Sequence, residues 1–181
     1  IGTNVFYIFK VTSQGISVPT IQSIGSTHST NLGHLVFSND GSKFVNVSIR
    51  GLIELYNFDR CTGTITSTIQ IEQEPVVAPY PRNFVSCGFS KDGSKLFIIE
   101  VTQATSSYYL LQYNLLATNI STSKLVIDSF FAPTAPWQMK LAPDDKIYIS
   151  AFDENYSWPY PDTSIAFTTI NNNLSVINYP D

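Results

Sequence analysis

The sequence FSNDGSKF occupies residues 37–44, and a close copy, FSKDGSKL, occupies residues 89–96. A more divergent copy, LAPDDKI, occupies residues 141–147. The copies begin 52 positions apart each time, and Asp40, Asp92 and Asp144 keep the same interval. Self-similarity at a fixed period is the signature of a repeat architecture. The sequence therefore predicts one structural unit of 52 residues that occurs three times.

Each unit contains the same order of short strand-like segments. Runs of β-branched and aromatic residues alternate with turn residues, and no window shows a sustained helical period. The first unit comprises GHLVFS (33–38), KFVNVSI (43–49), GLIELYNF (51–58) and TITSTIQI (64–71). The third comprises WQMKLA, KIYISAF, SIAFTTI and LSVINY. Residues 4–11 and 18–25 are predicted to form the last two strands of a preceding unit.

The repeated stretch itself is predicted to be a hairpin turn. Asp-Gly between two strand-like runs favours such a turn, since glycine adopts a positive φ without steric cost. The Asp carboxylates can accept hydrogen bonds from turn amides, and Asp145, which replaces the glycine in the third copy, tolerates the left-handed region. One Asp per turn supplies too few oxygens for calcium. The predicted structural turn residues are Asp40, Gly41, Asp92, Gly93 and Asp144.

Four antiparallel strands per repeat are typical of a β-propeller blade. The fold class is therefore predicted as all-β, a partial β-propeller of about three and a half four-stranded antiparallel blades. The predicted boundaries are residues 1–32 for the end of a preceding blade and its loop, then blades at 33–84, 85–136 and 137–181. Fourteen strands fall short of four blades, and the chain begins at Ile1 rather than Met. We expect a piece of a larger propeller, with remaining blades or an oligomer partner covering the open ends.

Composition narrows the possible functions. Charged residues make up 13% of the 181 residues, about half the usual share, and the net charge is −4. A chain without a basic stripe is not expected to bind nucleic acid, and no apolar run is long enough for a membrane span. Cys61 and Cys87 fit no zinc or redox spacing; a disulfide between them and two unpaired thiols both remain open.

The motifs resemble a known group of proteins. FSNDGSK, FSKDGSK, LYNFDRCTGTIT, YYLLQYN and LAPDDKIYIS are similar to WD40-like or YVTN-type propellers of bacterial surface proteins. They resemble more closely the propeller regions of large secreted proteins of gliding Bacteroidetes-type bacteria, which often end in a gliding-motility-associated sorting domain. The resemblance covers about residues 33–181 and departs at Asn39, Lys91 and Asp145. It implies secretion and a non-catalytic scaffold or adhesion role.

The sequence contains no recognisable catalytic or metal-binding motif. His28 and His34 lie six residues apart in GSTHSTNLGH, without an acidic neighbour in sequence, and are interpreted as solvated loop residues. No nucleophile elbow, HExxH or phosphate-binding loop is present. Carboxylate pairs of the kind that glycosidases need occur as Asp153-Glu154 with Asp162, and as Glu72 with Glu74, but spacing alone places none of them across a sugar. No cofactor and no metal is predicted.

The loop at 150–163 is the most informative local feature, because it is long and rich in aromatic residues. In a propeller, such second-to-third-strand loops share one face with the loops between blades, whereas the Asp-Gly and FDRCTG turns lie on the opposite face. That topology also places His28 and Tyr80 on the aromatic face. The candidate ligand-binding residues are Arg82, Trp137, Asp153, Tyr156, Trp158 and Tyr160. Trp137, directly before a strand, has an alternative role in packing.

The sequence therefore predicts a binding or scaffold segment of a secreted or cell-surface bacterial propeller, without catalysis. Aromatic rings beside polar groups suit a polysaccharide, and Trp, Tyr and Arg equally suit a protein partner. The alternative is part of a hydrolase or lactonase-like propeller whose catalytic residues lie partly outside this chain. A spacer between other domains is a third possibility.

Overall fold

The computed structural model describes residues 2–28, 30, 32–74, 81–102, 105, 107–155, 168–170 and 172–181. Nearly all regular structure in these residues is β-strand, with one short 3-10 helix at Ser121–Ser123. The strands are β1 Thr3–Ile8, β2 Val11–Thr12, β3 Gly15–Ile16, β4 Thr20–His28, β5 Gly33–Phe37, β6 Lys43–Ser48, β7 Leu52–Asp59, β8 Thr64–Gln73, β9 Arg82–Phe89, β10 Lys95–Thr102, β11 Ser107–Asn114, β12 Leu125–Phe131, β13 Thr134–Leu141, β14 Ile147–Asp153 and β15 Leu174–Ile177.

Two sheets have the predicted four-stranded form. The first has the order β5-β6-β7-β8 and the second β9-β10-β11-β12, with every neighbouring pair antiparallel. Strands that are adjacent in sequence are thus adjacent in space, as expected for blades built from successive hairpins. Before them, β1 pairs with β4 to form the two-stranded sheet predicted at the head of the chain.

The third sheet corrects one prediction. LSVINY was expected to be a fourth strand, but β15 pairs directly with β14, with Ile177 opposite Ile147 and Leu174 opposite Ser150. The predicted third strand at 164–170 lies mostly outside the described residues. The observed register puts Ile177 on the covered face of the sheet with Ile147, and strand pairing follows this burial of matching faces rather than order in the sequence.

The sheets stack face to face, and alternate residues of one strand serve opposite neighbours. In β6, Val45 and Val47 belong to the core between the first and second sheets, whereas Phe44 packs towards β1. The ring of Phe44 stacks on Tyr56 at 4.6 Å, and Phe6 of β1 meets Tyr56 edge-on at 5.4 Å. A sheet that packs against neighbouring sheets on both faces needs apolar residues at successive positions. This explains the nearly continuous apolar run KLFIIEV (95–101) in β10.

The repeated turns close the first hairpin of each sheet. The hydroxyl of Ser38 donates to Asp40 at 2.7 Å, and that of Ser90 donates to Asp92 at 2.6 Å. The glycines that follow have φ of +68° and +71°, and Asp145 takes the same conformation at +66°. The third turn is one residue shorter: Ser90 N–H donates to the carbonyl of Lys95, whereas Ala142 N–H donates to that of Lys146. Ile147 is therefore the counterpart of Leu96.

The first strands of the three sheets lie side by side, with β9 between β5 and β13. Together with the radial stacking of four-stranded antiparallel sheets, this arrangement is a partial β-propeller, and the predicted fold class is confirmed. The chain's described residues contain no helix that is long and apolar enough to span a membrane.

Candidate functional site

The innermost strands β5, β9 and β13 bring together residues that the sequence separates by the repeat length. His34, Ser86 and Gln138 occupy the same position in successive units. His34 and Gln138 both line two cavities at the centre of the arc, one of about 670 Å³ and one of about 220 Å³. A polar residue on the innermost strand thus recurs in each unit: His34 and Gln138 line the central cavities, whereas Ser86 is buried between the strands.

His34 is a structured, half-buried residue, and its interpretation as a solvated loop residue is wrong. Its Nδ1 atom accepts the backbone N–H of Cys87 at 3.3 Å and lies 3.3 Å from the Ser86 hydroxyl. Because Nδ1 accepts, the neutral ring carries its proton on Nε2, and burial lowers the pKa of the imidazole. His34 therefore offers a neutral N–H donor at the centre of the arc.

Trp137 lies at the mouth of the smaller cavity. It sits at a β-bulge, where the pairing of β13 with β14 shifts between Pro136 and Gln138. A bulge redirects a side chain, and the indole is 43% exposed while it meets the Phe152 ring edge-on at 5.6 Å. The residue thus combines partial packing with an accessible ring. The cavity is lined by Leu32, Gly33, His34, Ile49, Phe84, Val85, Trp137 and Gln138.

Arg82 is held in ion pairs between the first and second sheets. Its guanidinium pairs with Glu72 and Glu100, each at 3.3 Å, and also with Glu74. Lys124 pairs with Glu72 at 3.0 Å. Burial raises the pKa of Glu100, whereas the hydrogen bond from Lys124 and the nearby cations outweigh burial and lower the pKa of Glu72. Arg82, predicted to bind a ligand, is therefore engaged in ion pairs that connect the first and second sheets.

Asp153 is likewise engaged within the protein. It is 5% exposed, and its carboxylate accepts the backbone N–H of Asn155 at 3.0 Å. The neighbouring Glu154 accepts the hydroxyl of Tyr108. The other predicted ligand-binding residues, Tyr156, Trp158 and Tyr160, lie outside the described residues, as do Tyr80 and Asp162. Of the predicted set, Trp137 is the described residue that presents a partly exposed side chain to a cavity.

A second polar cluster was missed by the sequence analysis. Glu54, which is 1% exposed, accepts the Tyr56 hydroxyl at 2.5 Å and the Ser26 N–H at 2.9 Å. His28 Nε2 lies 3.9 Å from the same carboxylate and 3.3 Å from the Asn46 amide nitrogen. His28, interpreted as solvated, is thus part of the contact between the head of the chain and the first sheet. Glu54 stands inside the otherwise apolar run GLIELYNF (51–58), and an acid at such a position was the sequence feature that could have indicated a buried polar cluster.

Both cysteines lie among the described residues. Cys61 is exposed and Cys87 is buried, and both are free thiols. No group of three or more His, Cys, Asp or Glu side chains that could hold a metal ion occurs in the described part of the chain.

The chain is similar in fold to solved proteins, at low sequence identity. No protein-family model and no curated protein matches the chain. A solved protein from Lactobacillus plantarum has a TM-score of 0.56 at 16% identity, over 96% of this chain and 48% of that chain. The C-terminal WD40 domain of Sif2 has a TM-score of 0.43 at 17% identity, over 86% of this chain and 41% of that one.

A functionally unknown protein from Desulfotomaculum acetoxidans has a TM-score of 0.45 at 17% identity, over 98% of this chain and 55% of that one. This chain therefore spans about half the length of the solved chains that it matches. The antiparallel sheets described above make the fold a partial β-propeller. At these identities the likeness concerns the fold alone.

Proposed function

We propose that the chain is a non-catalytic binding segment of a secreted or cell-surface bacterial propeller, and that it binds a polysaccharide at the mouth of the central channel. The observation that carries this proposal is the 43% exposed indole of Trp137 beside a cavity of about 220 Å³. Indole and other aromatic faces suit the apolar faces of sugar rings, while amides and imidazoles bond their hydroxyls.

The lining of this cavity supports a neutral ligand. His34 and Gln138 contribute neutral hydrogen-bonding groups, and the other lining residues are apolar or glycine. A protein partner would also use Trp137, since tryptophan is enriched at binding hot spots. The absence of a formal charge from the lining favours the sugar, so a protein partner becomes an outcome of the test.

Composition and resemblance support the proposed location. Charged residues amount to 13% of the chain, and the surface is rich in hydroxyl and amide side chains, as is common in secreted β proteins. The motif resemblance to secreted propellers points the same way. Adhesion is the role that fits a binding propeller at a cell surface.

The proposal includes coverage of the two open ends of the arc. Tyr7 and Ile21 are 62% and 60% exposed on the two-stranded sheet of β1 and β4, and Leu174 is 57% exposed at the other end of the arc. Cross-strand apolar pairs of this kind are normally buried against a neighbour. Remaining propeller blades or an oligomer partner would cover them.

The test measures binding of the purified chain to xylan, mannan and β-1,3-glucan by isothermal titration calorimetry. Trp137→Ala is expected to lower the affinity at least about tenfold, and Trp137→Phe to retain part of it. Tyr179→Ala removes an aromatic ring that is 93% exposed elsewhere and serves as the matched control. Equal losses in the two alanine variants, or binding to a protein alone, would contradict the proposal. Release of reducing sugars would favour the hydrolase alternative.

A further inference from the structure

We propose that the smaller central cavity receives the acetyl group of an N-acetylated amino sugar, while the indole of Trp137 stacks on the sugar ring. This inference rests on the proposed function and names the class of sugar. The cavity holds about 220 Å³, which is below the roughly 300–1,000 Å³ of pockets that enclose a whole ligand. It is therefore suited to one substituent of a sugar unit whose ring lies at the mouth.

The cavity lies among elements whose neighbouring strands are present in the structure. Ile49 directly follows β6, and Phe84 and Val85 lie in β9. The first and second sheets, to which these residues belong, each have all four strands. Trp137 meets Phe152, which packs against the core between the second and third sheets. The indole thus lies on the side of β13 that faces the second sheet, and not on the outer face of the third sheet.

The interior of the cavity is apolar. Its hydrocarbon lining is formed by Leu32, Ile49, Phe84 and Val85. A hydroxyl group placed there would lose its hydrogen bonds to water without a replacement, which costs free energy. A methyl group, in contrast, is stabilised when its apolar surface leaves water. The lining therefore disfavours the hydroxyl of an ordinary hexose and favours a substituent that ends in a methyl group.

His34 supplies a hydrogen-bond donor beside this apolar lining. The described hydrogen bonds of its ring all use Nδ1, which accepts the backbone N–H of Cys87 at 3.3 Å, so Nε2–H is left for a ligand. An acetyl group has a carbonyl oxygen next to its methyl group, and this oxygen can accept the N–H. An amide oxygen is a stronger acceptor than an ester oxygen, which favours an N-acetyl over an O-acetyl group.

Trp137 provides the surface for the sugar ring itself. The indole is 43% exposed at the mouth of the cavity, and its edge-on contact with Phe152 at 5.6 Å restrains it. The acetamido group of an amino sugar extends sideways from the ring, so a ring that stacks on the indole directs this group into the space beside it. Stacking then contributes affinity for any sugar, and the cavity contributes the preference for an acetyl group.

The experiment compares tri-N-acetylchitotriose with cellotriose, which has the same β-1,4-linked backbone but a hydroxyl in place of each acetamido group. Isothermal titration calorimetry of the chain is expected to show at least about tenfold tighter binding of the acetylated trimer. Ile49→Phe fills the cavity and should reduce this preference to less than about twofold. Ile69→Phe makes the same change at a 48% exposed position of β8 and, as the matched control, should keep the preference.

A second variant changes the polarity of the cavity rather than its volume. Val85→Thr nearly keeps the shape of the side chain but adds a hydroxyl to the lining, so it should also lower the preference for the acetylated trimer. Thermal unfolding of every variant is measured in parallel, and Val85→Thr tests the site if Ile49→Phe does not fold.

The outcomes distinguish the acetyl site from the proposed function. Equal affinity for the two trimers overturns the acetyl site, while binding of cellotriose still supports the proposed function. A preference that survives in both cavity variants, or that Ile69→Phe loses equally, also overturns the site. Tighter binding of O-acetylated xylotriose overturns the assignment to an amino sugar. If neither trimer binds, the acetyl site is wrong, and the titrations with xylan, mannan and β-1,3-glucan decide the proposed function.

Discussion

The Oγ atom of Ser86 lies 3.3 Å from the Nδ1 atom of His34, although 52 positions separate the two residues in the chain. The same hydroxyl oxygen accepts the backbone N–H of Met139 at 3.1 Å. Because β9 lies between β5 and β13, one buried side chain connects the innermost strands of three sheets. The repeat length that is visible in the sequence is thus also the spacing of a direct contact.

Ser86→Ala is expected to lower the free energy of unfolding by about 1–3 kcal/mol, because a buried backbone N–H loses its acceptor. Urea denaturation monitored by tryptophan fluorescence gives the value. Ser23→Ala, at an exposed position of β4, should change stability by less than about 0.5 kcal/mol. If both variants lose the same amount, the connecting role of Ser86 is refuted.

Gly25→Ala is expected to destabilise the protein more than Gly93→Ala. Both glycines have a positive φ, of +81° and +71°, so both variants bear a backbone cost of about 1–2 kcal/mol. A Cβ atom at Gly25 would lie only 2.3 Å from the Tyr56 hydroxyl, whereas nothing lies within 4 Å of one at Gly93. The additional overpacking should cost about 1–3 kcal/mol, and thermal unfolding of the pair measures it.

Arg82→Met is expected to lower the free energy of unfolding by about 1–3 kcal/mol, since it leaves Glu72, Glu74 and Glu100 close together without their shared cation. The range is below that of a fully buried pair because the Arg82 side chain is 27% exposed. Arg60→Met, at an exposed turn residue, is the control for loss of one positive charge. A fall in sugar affinity without a fall in stability would return Arg82 to the binding surface.

Acid is expected to destabilise the repeated turns in the range below pH 4. Hydrogen bonds from the Ser38 hydroxyl and from the amide and hydroxyl of Ser42 lower the pKa of Asp40 from 3.8 to about 2. Bonds from Ser90 and Ser94 lower the pKa of Asp92 in the same way. The unfolded chain therefore binds more protons than the folded chain, so this stabilisation is complete above about pH 5 and is lost as pH falls towards 2.

The measurement is urea denaturation at pH 6 and at pH 2.5. Replacing both aspartates by Asn keeps an oxygen acceptor but removes the titrating group, so the double variant should lose less stability between the two pH values than the wild type. An unchanged difference would mean that other carboxylates govern the acid response.

Much of the fold could be predicted because its signals are local. The Asp-Gly turns and the strand-like runs beside them indicate hairpins from a few neighbouring residues, and β5 to β12 follow the predicted order. The prediction was wrong at residues 174–177, which pair with β14. That pairing depends on which face of a strand is buried, and a sequence alone does not specify the partner.

The candidate site could be predicted only in part. Trp137 was predicted from its place on the face of the loops between blades, with packing as the alternative because a strand was expected to begin directly after it. The structure instead places Trp137 inside β13, at a bulge in the pairing with β14 and beside a cavity. Arg82 has a suitable residue type for binding, yet three carboxylates from two sheets surround it. His34 carried no signal of its own, because its partners Ser86 and Cys87 lie a full repeat away.

The sequence by itself determined the repeat, the turns and the alternation of side chains, because hairpins depend on contacts between residues close in the chain. The tertiary structure alone decided which polar residues are used within the protein and which face the central cavities. Those contacts form between stacked sheets, where residues about 52 positions apart meet, and the balance of burial and charge at each one depends on all the sheets together.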